Sequence, residues 1–219
     1  MIIIYTDGSS IGNPGPGGWG AIISYPEGRV VELGGREDHT TNNRMEIAGA
    51  IEALEYVFSA AKPVKILADS SYLINGITKW IHVWQKNGWL TGAKEPVLNR
   101  ELWEELFSLT IKMEIEWEHT PGHSGIPGNE RVDEIAQGFS RGTPVSLFDG
   151  DAHQYGIDLS YEAGSTSNSF YYVSLLDGVI ARHDTWEECE KRVKGRRGAR
   201  YKKVKSEQEE KRVIEAWKS

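Results

Sequence analysis

The first twenty residues, MIIIYTDGSSIGNPGPGGWG, constrain the fold more than any other stretch. The apolar residues 2–4 lead through Tyr5 and Thr6 to a lone carboxylate, Asp7. A glycine-rich turn follows, and residues 19–23 read as a second strand. A buried strand does not hold an unpartnered carboxylate cheaply, because taking the charge out of water is costly. Asp7 is therefore exposed at an edge, paired, or facing a cation. An aspartate that merely opens a turn is the plainer alternative.

Gly28 and Arg29 turn the chain into a third strand, 29–34, so an antiparallel meander is expected. From Met45 the apolar positions Ile47, Ile51, Leu54 and Phe58 recur at helical spacing, with Glu46 one step off that stripe. Pro63 restarts an extended segment, 64–68, that ends at Asp69. Helical patterns fill much of 70–85, residues 87–96 read as a loop, and 100–109 as a helix. A half-exposed strand, 114–118, precedes a Gly/Pro-rich loop containing His123. Asn129 is then expected to cap a helix with Val132, Ile135, Ala136 and Phe139 on its buried side and Asp133 beside them. This order of elements implies an α/β fold, a five-stranded mixed sheet flanked by helices, over residues 1–140.

Residues 141–169, rich in Gly, Ser, Asp and Thr without a sustained period, read as a linker. Residues 170–219 read as a small α/β domain of three strands and two helices. A hairpin is expected around Leu176, Asp177 and Gly178. Capping-box pairs, Thr185 with Glu188 and Ser206 with Glu209, open the two helices.

Charge is uneven along the chain. The net charge of −7 hides a block from Lys191 to Lys205 with nine basic residues and no acidic one. A local basic block on an acidic protein points to a polyanion. A single cysteine, Cys189, excludes an intrachain disulfide and a cysteine-rich zinc site. No apolar run reaches the roughly 20 residues of a membrane span, and no signal peptide is evident. A soluble, cytoplasmic monomer is the expectation.

Asp7 and Asp69 both end strands in this reading, and they emerge at one edge if those strands are neighbours. Glu46 and Asp133 lie near the starts of two helices, where the helix dipole alone favours acidic residues. Taken together, four clustered carboxylates repel one another unless cations neutralise them, and magnesium or manganese is the natural partner. Two such ions suit in-line displacement at phosphorus.

The motifs YTDGSS, GNPGPGGWG, TTNNRMEI, ADSSYL and TPGHSGIPGNERVDEIA occur in that order. Together they closely resemble the type 1 ribonuclease H family over residues 1–140. The resemblance implies the five-stranded mixed sheet, two divalent ions, and cleavage of the RNA strand of an RNA–DNA hybrid to leave 3′-hydroxyl and 5′-phosphate ends. It implies that Asp7, Glu46, Asp69 and Asp133 are the metal ligands and that His123 assists proton transfer or product release. Asn13, Asn42 and Asn43 match positions that read the RNA 2′-hydroxyl, and Thr41 and Asn99 match a DNA-phosphate pocket. Ser71 stands where some members carry a longer amide. Trp80 and Trp84, one helical turn apart, fall in the region that grips the DNA strand in members with a basic protrusion. Here Asn87 and Leu90 replace frequent bases, which weakens that handle.

The stretches FYYVSLLDG, TWEECEKRVKG and GARYKKVKSEQEE resemble the hybrid-binding domain of eukaryotic ribonucleases H. That likeness implies that Trp186, Tyr201, Lys202 and Lys203 contact the hybrid, with Gly198, Ala199 and Arg200 as a backbone loop. In the familiar arrangement this domain precedes the catalytic one, and here it follows. The alternatives are a non-catalytic hybrid-binding protein and a DNA-acting nuclease of the same fold.

Overall fold

The computed structural model describes residues 1–122, 125–160, 171–183, 185–196, 198–204 and 207–218. His123, Ser206 and Phe170 lie outside the described residues. Contacts divide the chain into two units, 1–160 and 161–219, which are taken separately.

In the first unit, β1 (Ile2–Ser10), β2 (Gly15–Ser24) and β3 (Arg29–Thr40) form the antiparallel meander. The segment β4 (Val64–Ala68) adds to β1 in parallel, and β5 (Ile115–His119) adds to β4 in parallel. Among the described residues a sixth strand, β6 (Asp149–Asp151), extends the sheet beyond the five expected, giving the order β5-β4-β1-β2-β3-β6. Tyr5 pairs with Leu67 in the parallel β1–β4 register. Two residues further along each strand, that register brings Asp7 and Asp69 side by side. Asp7 is not at a strand end as expected, because β1 continues to Ser10 against Gly17 of β2.

Helix α1 (Asn42–Val57) and helix α5 (Pro127–Ser140) both lie against the meander. Strand side chains alternate between faces. Accordingly α1 comes down over Gly8 and Gly17, while α5 sits over Tyr5, Gly18 and Gly20. A Cβ at Gly8 would lie 2.3 Å from the backbone nitrogen of Glu46, so only glycine lets the start of α1 approach β1. The core of Ile2, Ile4, Ile47, Leu54, Ile66, Leu73 and Trp103 lies between the sheet and α1, α2 (Ser71–Asn75), α3 (Ile81–Lys86) and α4 (Arg100–Thr110). Phe58, expected on the buried stripe, is exposed because α1 ends at Val57 and the chain tightens into a short turn.

The second unit pairs β7 (Tyr171–Leu176) with β8 (Val179–His183) and with β9 (Arg200–Val204), all antiparallel. Asp177 and Gly178 both have positive φ, as a two-residue hairpin requires. Thr185 caps α6 (Trp186–Val193) by accepting from the Glu188 N–H at 3.3 Å. Helix α7 (Glu207–Lys218) places Val213 against Val173 and Val204. No helix among the described residues is long and apolar enough to cross a membrane.

Candidate metal centre and nucleic-acid interface

Asp7, Glu46 and Asp69 each offer an oxygen, and these oxygens lie within 4.8 Å of one another. The central strand supplies Asp7, the first turn and a half of α1 supplies Glu46, and the residue after β4 supplies Asp69. They line an open pocket of about 260 Å³ with Gly8, Ser9, Asn42, Asn129, Glu130 and Asp133.

The donor set is all oxygen and mostly withdrawn from water. Asp7 and Glu46 are buried. Asp7 Oδ1 accepts from the Gly8 N–H at 2.8 Å. Asn42 donates to Glu46 Oε1 at 3.1 Å, while Glu46 Oε2 is buried with no hydrogen-bond partner among the described residues. Burial, reinforced by Asp69 and Asp133, pushes the Asp7 carboxyl up to about 7 despite the opposing Gly8 bond. Burial, then Asp7 and Asp69, likewise raise Glu46 well above the ordinary carboxylate value. An orphaned carboxylate oxygen beside two more carboxylates is relieved by a proton or, with the group ionised, by a hard divalent cation. The cluster is therefore a divalent-metal site in its chemistry.

Asp133 lines the same pocket and comes within hydrogen-bonding reach of Asp7, but lies outside the tight trio. Its Oδ1 accepts from Gln137, one turn further along α5, at 2.6 Å.

Asn129 was not anticipated as part of this site. Pro127 begins the helix, with its fixed φ suited to the first turn, so Asn129 sits inside α5 rather than capping it. Its Nδ2 donates to Asp69 Oδ2 at 3.3 Å, and its Oδ1 accepts from buried Thr120 at 3.4 Å. The available signal was its place four residues before Asp133, on the same helix face.

The remaining residues are dispersed. Asn13 and Asn43 are exposed. Thr41 caps α1, its Oγ1 accepting from the Arg44 N–H at 3.4 Å. Asn99, with φ of 59°, accepts from Arg44 and donates to Tyr72 Oη, so Thr41 and Asn99 meet at one residue, Arg44. Ser71 Oγ lies 3.1 Å from His119 Nε2, which also reaches the Asp69 carbonyl. Trp84 packs among Trp80, Trp89 and Trp103, whereas Trp80 keeps an exposed surface.

In the second unit the alternation of β9 divides the expected set. Tyr201 pairs with Ser174 and Lys203 with Tyr172, so these share a face. Trp186 packs on that face, its ring tilted against its neighbours with centroids 5.0 Å from Tyr201 and 5.4 Å from Tyr172. Arg200 pairs with Leu175 and Lys202 with Val173, which puts both on the opposite face.

A family model described as RNase H matches residues 1–140, and one described as Ribonuclease H1 N-terminal domain matches residues 183–211. The chain is 51% identical to the ribonuclease H of Thermosynechococcus vestitus over 146 residues, 66% of this chain and 91% of that protein. It is 54% identical to the ribonuclease H of Maricaulis maris over 136 residues, 62% of this chain and 91% of that protein. Among solved structures, LC9-RNase H1, a type 1 RNase H with the type 2 active-site motif, aligns with a TM-score of 0.62 and 29% identity. That alignment covers 72% of this chain and 81% of the other.

Proposed function

This chain belongs to the ribonuclease H family, and from that premise we propose that it is an endoribonuclease acting on RNA–DNA hybrids. It hydrolyses the RNA strand, leaving 5′-phosphate and 3′-hydroxyl ends. The observation that carries this reading is the convergence of Asp7, Glu46 and Asp69 around an unpartnered Glu46 oxygen.

Asp7, Glu46, Asp69 and Asp133 would hold two magnesium ions, or manganese in their place, which would supply an activated water and charge compensation at the leaving oxygen. Asp7 would contribute to holding both ions, since Asp69 and Asp133 both act on its carboxyl. Asn42 and Asn129 hold Glu46 and Asp69 in their orientations. Outer partners of this kind commonly matter as much as the ligands. His123 is assigned to proton transfer or product release. In the net reaction, water oxygen bonds to phosphorus, the P–O3′ bond breaks, and the 3′ oxygen leaves with a proton.

Substrate is read at several places. Asn13, Asn42 and Asn43 face the RNA 2′-hydroxyls, the feature that separates RNA from DNA. Thr41 and Asn99, gathered at Arg44, take a DNA phosphate, Ser71 lies beside that strand, and exposed Trp80 with neighbouring Trp84 contacts it further along. Residues 170–219 raise hybrid affinity through Trp186, Tyr201 and Lys203, with Arg200 and Lys202 adding charge from the other face. In this assignment residues 1–140 do the chemistry, residues 141–169, which stay with the first unit as far as 160, lead to the second part, and the protein works as a cytoplasmic monomer.

Cleavage of labelled hybrid, double-stranded RNA and double-stranded DNA, with and without magnesium, tests the reading. Magnesium-dependent cutting of the RNA strand in the hybrid alone is expected. Binding without cutting indicates a non-catalytic hybrid-binding protein, and cutting of DNA indicates a different nuclease.

A further inference from the structure

The family match ends at Ser140, yet the chain stays with the first unit as far as residue 160. Residues 143–160 return along the sheet edge. The Glu32 N–H donates to the Phe148 carbonyl at 2.7 Å, β6 pairs with β3, and Arg29 grips Asp149 at 3.0 and 2.9 Å. Further on, Tyr5 Oη donates to the Leu159 carbonyl at 3.4 Å.

Glu32 is the hub of this arrangement. Its side chain has no solvent exposure. Its carboxylate accepts from Arg131 Nε at 2.7 Å and Nη2 at 2.9 Å, from the Phe148 N–H at 3.0 Å, and from Tyr155 Oη at 2.6 Å. Arg131 Nη2 also donates to the Ser146 carbonyl at 3.0 Å. The Phe148 and Tyr155 rings pack 4.9 Å apart. These partners of a β3 carboxylate all come from α5 or from residues 143–160. A bidentate pair of this kind, with Glu32 buried and Arg131 partly so, has a preferred geometry that resists sliding or turning of α5 on β3.

Arg131 sits midway between Asn129 and Asp133. Two helical residues correspond to about 200° of rotation, so Arg131 anchors the side of α5 that faces away from the pocket. Whatever fixes Arg131 therefore fixes where Asn129 and Asp133 stand. We propose that residues 143–160 form a strap that positions α5, with Tyr155, Glu32 and Arg131 as positioning residues setting the approach of Asn129 and Asp133 to Asp69 and Asp7. This rests on the reading of the carboxylate pocket as the catalytic site.

The test is Tyr155→Phe in the full-length protein, which keeps the ring against Phe148 and deletes one bond to Glu32. At a temperature well below the variant's Tm, kcat on hybrid is expected to fall about three- to tenfold with KM unchanged, the scale of one lost hydrogen bond. The midpoint of magnesium binding to the free protein, read by calorimetry, is expected to move to higher concentration. Glu32→Gln is expected to shift both readings in the same direction. Unchanged kcat and magnesium midpoint, with or without a lower Tm, would overturn the proposal, since the strap would then be stabilising only. Asp69→Asn run alongside separates the two ideas. If it abolishes cutting while Tyr155→Phe cuts normally, the strap fails and the site stands. If Asp69→Asn itself cuts normally, both fail.

Discussion

The side-chain amide of Asn129 donates to Asp69 Oδ2 across 3.3 Å, tying the first turn of α5 to the residue that follows β4. Asp69 keeps its place in the trio with Asp7 and Glu46, and Thr120 holds the Asn129 amide from behind. Replacing this donor frees Asp69 to rotate. Asn129→Ala is expected to lower the rate at limiting magnesium by about 10- to 100-fold, the usual cost of an outer-shell partner. Part of the loss should return at high magnesium, which a magnesium titration of initial rates checks.

Carboxylates gathered without a cation destabilise the fold, and a bound cation reverses that. Magnesium is expected to raise the Tm, with about 2.7 kcal/mol of added stability at a hundredfold excess over its Kd. Asp7→Asn removes one of the mutually repelling charges beside Glu46 and Asp69. Its metal-free Tm should exceed that of the parent, and its Tm should no longer respond to magnesium. Thermal scans with magnesium and with chelator measure both effects.

Away from the pocket, acid should attack the Glu32 cluster. Burial raises the Glu32 carboxyl, but bonds from Arg131, Tyr155 and the Phe148 N–H outweigh it and hold the group below its ordinary value. A carboxylate with a lowered folded-state pKa contributes stability above its unfolded pKa and loses it as pH falls through the folded value. Stability should therefore drop below about pH 4. Glu32→Ala, which removes the buried acceptor and leaves Arg131 with Glu134 as its acidic partner, should cost about 1–3 kcal/mol at neutral pH and flatten that acid limb. Denaturant unfolding at several pH values reads both.

The two faces of β9 should contribute unequally to hybrid binding. Tyr201 and Lys203 share a face with Trp186, and Arg200 and Lys202 lie on the other. Trp186→Ala and Tyr201→Ala should each weaken binding by about 1–3 kcal/mol, as lost stacking does. Lys202→Ala should cost less than Lys203→Ala while reducing the salt slope, because a phosphate contact lacks base or sugar geometry. Anisotropy of labelled hybrid across a salt series distinguishes them.

Much of this was legible in the sequence, for reasons that can be stated. Periodicity and turn residues marked the elements that carry Asp7, Glu46 and Asp69, and a sheet with β1 beside β4 brings Asp7 and Asp69 together. What escaped depended on contacts far apart in the chain. Asp149, Gly150 and Asp151 have no strand pattern, and β6 exists because Arg29 and Glu32 receive that segment. Asn129 looked like a cap until Pro127 moved the helix start three residues earlier. The splitting of Arg200 and Lys202 from Tyr201 and Lys203 follows from simple strand alternation. Treating the stretch as one basic block concealed it.

The most direct measurement is single-turnover cleavage of an RNA–DNA hybrid by Asp69→Asn at saturating magnesium, with hybrid binding measured on the same protein. Loss of cutting by several orders of magnitude with hybrid affinity largely retained is the predicted result. Cutting at the parent rate would contradict the assignment of Asp7, Glu46 and Asp69 as the metal-binding catalytic centre.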